Sequence, residues 1–149
     1  MTGCFENNAT GCNRNITRPG AESCVVEGTD IILTIEFGRQ IFDFAMIDAI
    51  HDASVLVTRK IFFEGGDRVL SDSEIPWEIY THGLLISATT PGPEPRILTW
   101  DVLANSLRGL SQCGYRERKY KEMYTSIFDM DGKLYGDLNL RNRPPHAIQ

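Results

Sequence analysis

Glu78, Tyr80 and His82 alternate along a β-forming run, so in a regular strand all three side chains project from one face. A carboxylate and an imidazole flanking one point are the equipment of general acid–base catalysis. An arginine such as Arg116 or Arg118 on a neighbouring strand would stabilise negative charge developing on phosphate. These residues outline a metal-independent, ribonuclease-like hydrolase with Glu78 and His82 as the acid and base. The same alternation is what the solvent side of a half-covered sheet looks like, and that plainer reading is the primary one. Asp48, His51 and Asp52 sit at i, i+3 and i+4, which on a helix gathers two carboxylates and an imidazole able to hold a divalent cation or share a proton. A solvated helix face is the primary reading, because acidic residues belong on exposed helical surface and no second ligand group is identifiable elsewhere.

Asp129, Asp131 and Asp137 with Gly132 have something of a calcium loop, but Gly132 follows Asp131 directly and Leu140 stands where the bidentate Glu is required. A turn is expected there, with no metal and no cofactor. The basic run Arg116-Glu117-Arg118-Lys119-Tyr120-Lys121 could touch an acidic partner. Tyr80, Arg116, Lys119 and Tyr120 are therefore the binding candidates, although charge that keeps a strand edge from aggregating is the commoner use. Glycine-rich phosphate loops, G-x-S-x-G elbows and HExxH pairs are absent from the sequence. Cysteine nucleophiles are unpromising, because three thiols sit in a polar tail and the fourth ends a helix, where the dipole raises a thiol pKa.

Those four cysteines, Cys4, Cys12, Cys24 and Cys113, do not fit a zinc spacing, and three fall within 24 residues rich in Asn, Gly, Thr and Ser. Such a distribution reads as a disulfide framework, for which three pairings exist. We expect Cys4 with Cys12, and Cys24 with Cys113, the second tying the tail to the core. Two sequons, at Asn8 and Asn15, lie in the same tail. Cysteines and sequons together favour an oxidising, extracellular environment, with the cytoplasm as runner-up. The opening residues have neither a basic nor an apolar leader region, so the expectation is a leader removed and a start Met added.

Positioning these residues requires an ordered domain. Residues 29–37 form a β-branched run ended by Gly38 and read as a strand; the apolar residues from Phe42 to Val57 recur at helical spacing. A strand over 54–63 is the competing reading, because Val55, Val57 and Ile61 are β-branched. Residues 75–90 read as one long or bent strand, with a bulge or hairpin bend at Gly83. Thr99 reads as the N-cap of a helix with the stripe Trp100, Leu103, Leu107 and Leu110, stopped by Gly114 in a left-handed conformation. Lys119–Asp129 and Lys133–Arg141 read as a hairpin around Asp131-Gly132. The expected fold is α+β: a two-layer sandwich of about four antiparallel or mixed strands with two helices on one face, in the order β-α-β-α-β-β. Residues 1–28 form a cysteine-bearing polar tail, 29–142 a single domain, and 143–149 a loose C-terminal tail.

At 149 residues, 42% hydrophobic and 23% charged, the chain can bury a core of its own and is not disordered. The 15 basic and 20 acidic residues give a net charge of -5, which argues against nucleic acid and anionic membranes as partners. No run is long and apolar enough for a membrane span, since that from Ile41 to Phe63 is broken by Asp43, Asp48, Asp52, Arg59 and Lys60. The stretch from Ile97 to Leu110, followed by an aromatic-rich hairpin ending in Tyr135-Gly136, resembles uncharacterised small secreted proteins of filamentous fungi. That resemblance covers the last third of the chain and implies a cysteine-stapled, effector-like extracellular protein, with no catalytic residues to carry over. The expected function is therefore a secreted, disulfide-stabilised, non-enzymatic interaction protein, effector-like or toxin-like, with a host protein or cell-surface glycan as partner. The ribonuclease-like hydrolase is the alternative. A homodimer through strand edges, or through Trp77 and Trp100, is the third reading.

Overall fold

The structure, a computed structural model, describes residues 20–91 and 97–143. Three β-hairpins alternate with two helices. The first hairpin is β1 (Ala21–Val25) with β2 (Ile32–Gln40), followed by α1 (Asp43–Glu64). Then come β3 (Trp77–Thr81) with β4 (Leu84–Thr89), α2 (Trp100–Cys113), and finally β5 (Lys121–Phe128) with β6 (Leu134–Asn142). All pairs are antiparallel and form one six-stranded sheet in the order β1-β2-β5-β6-β4-β3. The α+β class and the pair of helices on one face are as expected; the sheet has six strands, not about four.

Two differences account for the extra strands. Ala21–Val25, assigned to the polar tail ending at residue 28, pairs with β2 from Ala21↔Glu36 to Val25↔Ile32, so the sheet begins before residue 29. The run 75–90, read as one long or bent strand with a bulge or hairpin bend at Gly83, is two strands joined by a hairpin at that glycine, because His82 (φ 53) and Gly83 (φ 76) both take the positive φ that a tight two-residue turn needs. Gly38 does not end its strand but lies inside β2, at the irregularity between Phe37 and Gln40. Of the expected turn pair Asp131-Gly132 in the last hairpin, only Gly132 has positive φ. The turn closes through Gly132 N–H to the Asp129 carbonyl, while the Asp129 carboxylate accepts from the N–H groups of Asp131 and Lys133, both at 2.8 Å. Those interactions occupy the residues of the rejected calcium loop with turn chemistry.

Register fixes the two faces of the sheet. Leu33 and Ile35 stand beside Ile127 and Thr125, which stand beside Gly136 and Leu138; Ala88 and Ile86 continue the face beside Leu138 and Leu140. Against it pack Met46, Ala49, Ile50, Ala53 and Val57 of α1 and Leu103, Leu107 and Leu110 of α2, all buried. Each such Leu or Ile contributes about 1.5–3 kcal/mol by leaving water. The strand reading of 54–63 fails because Met46, Ala49, Ile50, Ala53 and Val57 form one continuous helical seam. On the opposite face, Glu36, Tyr124, Asn139, Ser87 and Glu78 make a polar row across five strands. No helix among the described residues covers it.

Thr99 caps α2 as expected, its Oγ1 accepting from Val102 N–H at 3.2 Å. Gly114 follows but is not left-handed: φ is -100. Glycine is required there because a Cβ would meet the Leu110 carbonyl oxygen, Met46 Cε and Met123 Sδ, where both helices converge on the sheet. Gly114→Ala is therefore expected to cost about 1–3 kcal/mol, measured by chemical denaturation, although alanine is the better helix former. An unchanged midpoint would mean that this junction yields freely.

Candidate functional site

The strand alternation that united Glu78, Tyr80 and His82 ends one residue too early. Glu78 and Tyr80 stand on the helix-free face, opposite Ser87 and Leu85 of β4. His82 is the first turn residue, and its left-handed backbone swings the imidazole to the helix side, where Nε2 lies 3.0 Å from Asp52 Oδ2. Glu78 and His82 therefore cannot serve as an acid–base pair across one substrate. Arg118 is no nearer: it caps a short 3₁₀ turn (Tyr115–Glu117) in a left-handed conformation before β5, which β6 and β4 separate from β3 in the sheet order. The three residues of the hydrolase reading occupy three separate places.

Asp52 is the centre of a small polar knot. It accepts from Thr81 Oγ1 at 2.7 Å and contacts His82, with His51 on its own helix. The Thr81 hydrogen bond, opposed by burial and helped by His82, holds its carboxyl below the usual aspartate range. A carboxylate pushed toward the ionised form is a weak proton acceptor, and both Asp52 and His82 are open to solvent. The knot fastens α1 to the β3–β4 turn. Among the described residues, no three His, Cys, Asp or Glu are grouped to hold a metal ion.

The basic candidates are charge-balanced. Lys119 Nζ lies 2.5 Å from Glu22 Oε1 and Arg116 3.8 Å from Glu27, so both answer the acids of β1 and its turn. They line a cavity of about 440 Å³ beside the disulfide. Tyr120 is packed against the core, and its carbonyl accepts from Ile41 N–H. Tyr80 stands at the edge of the sheet, 45% exposed, with the Arg143 guanidinium 4.7 Å from its ring centroid. Cys24 and Cys113 form the expected disulfide, which joins β1 to the end of α2. Cys4, Cys12, Asn8, Asn15 and the C-terminal tail lie outside the described residues.

The most unusual surface is one that sequence reasoning did not single out. Phe42, Phe44, Phe62 and Phe63 are 71%, 65%, 81% and 78% exposed, in two ring pairs at opposite ends of α1. Between the ends, Leu56, Arg59, Lys60 and Phe63 face Trp77 of β3 across a groove of about 470 Å³. The groove continues past Val55, Leu56 and Ile79 to the Asp52–Thr81 contact. Helix and strand thus run in opposite directions, with Leu56 near Ile79. Among the described residues β3 pairs only with β4, which leaves its other edge without a strand partner there. In the two-residue hairpin Trp77, Ile79 and Thr81 exchange hydrogen bonds with β4, and the N–H and C=O groups of Glu78 and Tyr80 point outward. The adjacent Phe62-Phe63 could have signalled this surface, since neighbours on a helix lie about 100° apart and cannot both face one core.

Fold and site together define an α+β domain with a six-stranded antiparallel sheet, a helix-free polar face, and an apolar flank beside an open strand edge. Compared with protein-family models, with curated proteins and with solved structures, the chain matches none. No helix among the described residues is long and apolar enough to cross a membrane.

Proposed function

We propose that this chain is a secreted, effector-like, non-enzymatic interaction protein whose docking surface is the flank of α1 and the free edge of β3. The observation that carries the reading is the exposure of Phe62 and Phe63 at the C-terminal end of α1, with Phe63 lining the groove to Trp77 on a strand whose other edge is unpaired among the described residues. Large exposed apolar patches on a soluble domain mark interaction sites, and an open strand edge offers backbone groups for a partner to pair with. The Cys24–Cys113 disulfide supports an oxidising compartment. The separation of Glu78, His82 and Arg118 weighs against the ribonuclease-like alternative.

Two measurements test it. Labelled protein is added to intact cells, and the double variant Phe62→Ser/Phe63→Ser, at exposed positions, is expected to bind at least tenfold more weakly while keeping its unfolding midpoint. Equal binding by the two proteins would remove this surface from the reading. Incubation with RNA and with polysaccharides is expected to show no turnover; cleavage that disappears in Glu78→Gln or His82→Ala would overturn the non-enzymatic assignment.

A further inference from the structure

We propose that the occupant of the α1–β3 flank is a second copy of this chain, joined about a two-fold axis through Ile79 and Leu56; this rests on that flank being a docking surface. The strand edge is self-complementary. Antiparallel pairing of two β3 strands centred on Ile79 sets Glu78 opposite Tyr80 of the other copy, twice. It therefore joins the outward N–H and C=O groups of both residues in hydrogen-bonded pairs. Like charges are not opposed, and each Glu78 carboxylate arrives beside the Arg143 guanidinium stacked on the facing Tyr80.

The helix above the strand obeys the same axis. α1 carries Asp43, Asp48 and Asp52 in its first half and Arg59 and Lys60 past its middle, followed by Glu64, which is already paired with Lys60 and Arg68 of its own copy. Two α1 helices packed antiparallel about Leu56 therefore place Asp52 of one copy against Arg59 and Lys60 of the other. Arg59 has no ion-pair partner among the described residues, and Glu78 likewise has none. Leu56 and Phe63, with the groove between them and Trp77, lie on the side of α1 that the second copy would cover. Because Leu56 lies near Ile79, one axis satisfies strand, helix and charge together, and the product is a continuous twelve-stranded sheet. A foreign extended peptide would satisfy the strand edge alone. β3 also has no Lys, Arg or Pro within its five residues, the usual devices that keep an edge from pairing.

The test is mass by light scattering or sedimentation across a dilution series of the full, oxidised chain. The wild-type protein is expected at twice its 16.8 kDa, dissociating on dilution. Arg59→Glu and Glu78→Arg, both at exposed positions, are each expected to raise the dissociation constant at least tenfold by opposing like charges. Tyr80→Pro removes an outward donor without touching a β3–β4 hydrogen bond, and is expected to give a monomer. Unfolding midpoints of the charge variants, read where all are monomeric, should match the wild type. A wild-type monomer at every concentration overturns the dimer, as do variants that leave the dissociation constant unchanged or a mass that climbs past two copies. If a monomeric wild type still needs Phe62 and Phe63 to bind cells, the interaction reading stands and its occupant is foreign. Loss of both results ends both proposals.

Discussion

Replacing Cys24 and Cys113 together with alanine is expected to lower unfolding stability by about 4–5 kcal/mol, the loop-closure contribution of a crosslink spanning 89 residues. The bond joins the edge strand β1 to the last turn of α2, elements that share few other ties. Gln112 is the main one: its amide accepts from Glu27 N–H and donates to the Val25 carbonyl, both at 3.0 Å, while Arg108 reaches the Glu27 carbonyl at 2.9 Å. These bonds survive the substitution, so the native geometry of β1 should persist and the loss should arise from the freed unfolded chain. A domain of this size is stable by only about 5–15 kcal/mol, so the variant would sit near the threshold of folding. Denaturant unfolding of oxidised wild type, reduced wild type and the double variant measures this directly. A loss below about 1 kcal/mol would mean that the unfolded ensemble already keeps the two segments close.

Glu122→Leu is expected to cost about 3 kcal/mol for a different reason. Glu122 points to the helix-free face yet is only 6% exposed, and its carboxylate is the acceptor for an irregular part of the sheet. Oε1 accepts from Arg39 N–H at 3.0 Å, where the bulge in β2 strips that group of its strand partner, and from the Tyr124 hydroxyl at 3.3 Å. Oε2 accepts from the Asn142 N–H and side-chain amide at 3.0 and 3.1 Å. Leucine would fill the space and leave those part-buried donors without their common acceptor. Burial pushes the Glu122 carboxyl upward, but the donors from Asn142, Arg39 and Tyr124 outweigh it and the net displacement is downward. Since the folded-state value is below that of the unfolded chain, Glu122 stabilises the fold above about pH 4.3. That contribution is lost as pH falls through the folded-state value. Glu74, held down to about 2 by Arg68, acts in the same direction. Glu122→Gln should therefore flatten, without abolishing, the fall in stability below about pH 4.3. An acid limb identical to wild type would show that the carboxylate does not make these bonds in solution.

Legibility in the sequence follows the range of the interactions involved. α2 was readable from Thr99 and the Trp100–Leu110 stripe because a cap and an amphipathic seam are local properties; the position of Cys113 at the end of that helix suited the long disulfide without selecting it among the three pairings. β1 was hidden because Ala-Glu-Ser-Cys-Val is short and polar; it is a strand only because β2 offers it an edge. The bend at Gly83 was readable, but His82's place in the turn was not, because histidine seldom takes positive φ, and that single residue turned an apparent acid–base pair into two unrelated side chains. Glu122 obeys the alternation of a solvent-facing residue, and nothing local reveals that a bulge eighty residues earlier encloses it. The phenylalanines of α1 were absorbed into its apolar count, since composition does not say how wide a face the rest of the molecule will cover.

The strand order also has a consequence in time. β5 and β6 occupy the middle of the sheet, yet they are synthesised after both other hairpins. Until residues 121–142 have emerged, β1–β2 and β3–β4 are separate two-stranded ribbons, with the edges of β2 and β4 that will receive the last hairpin still open. Two-stranded ribbons are marginal alone, so the decisive assembly step is insertion of the final hairpin between two waiting ones. Such non-local closure makes folding slow and leaves apolar edges exposed while it is pending, a period when chaperones and disulfide-forming catalysts have their chance to act.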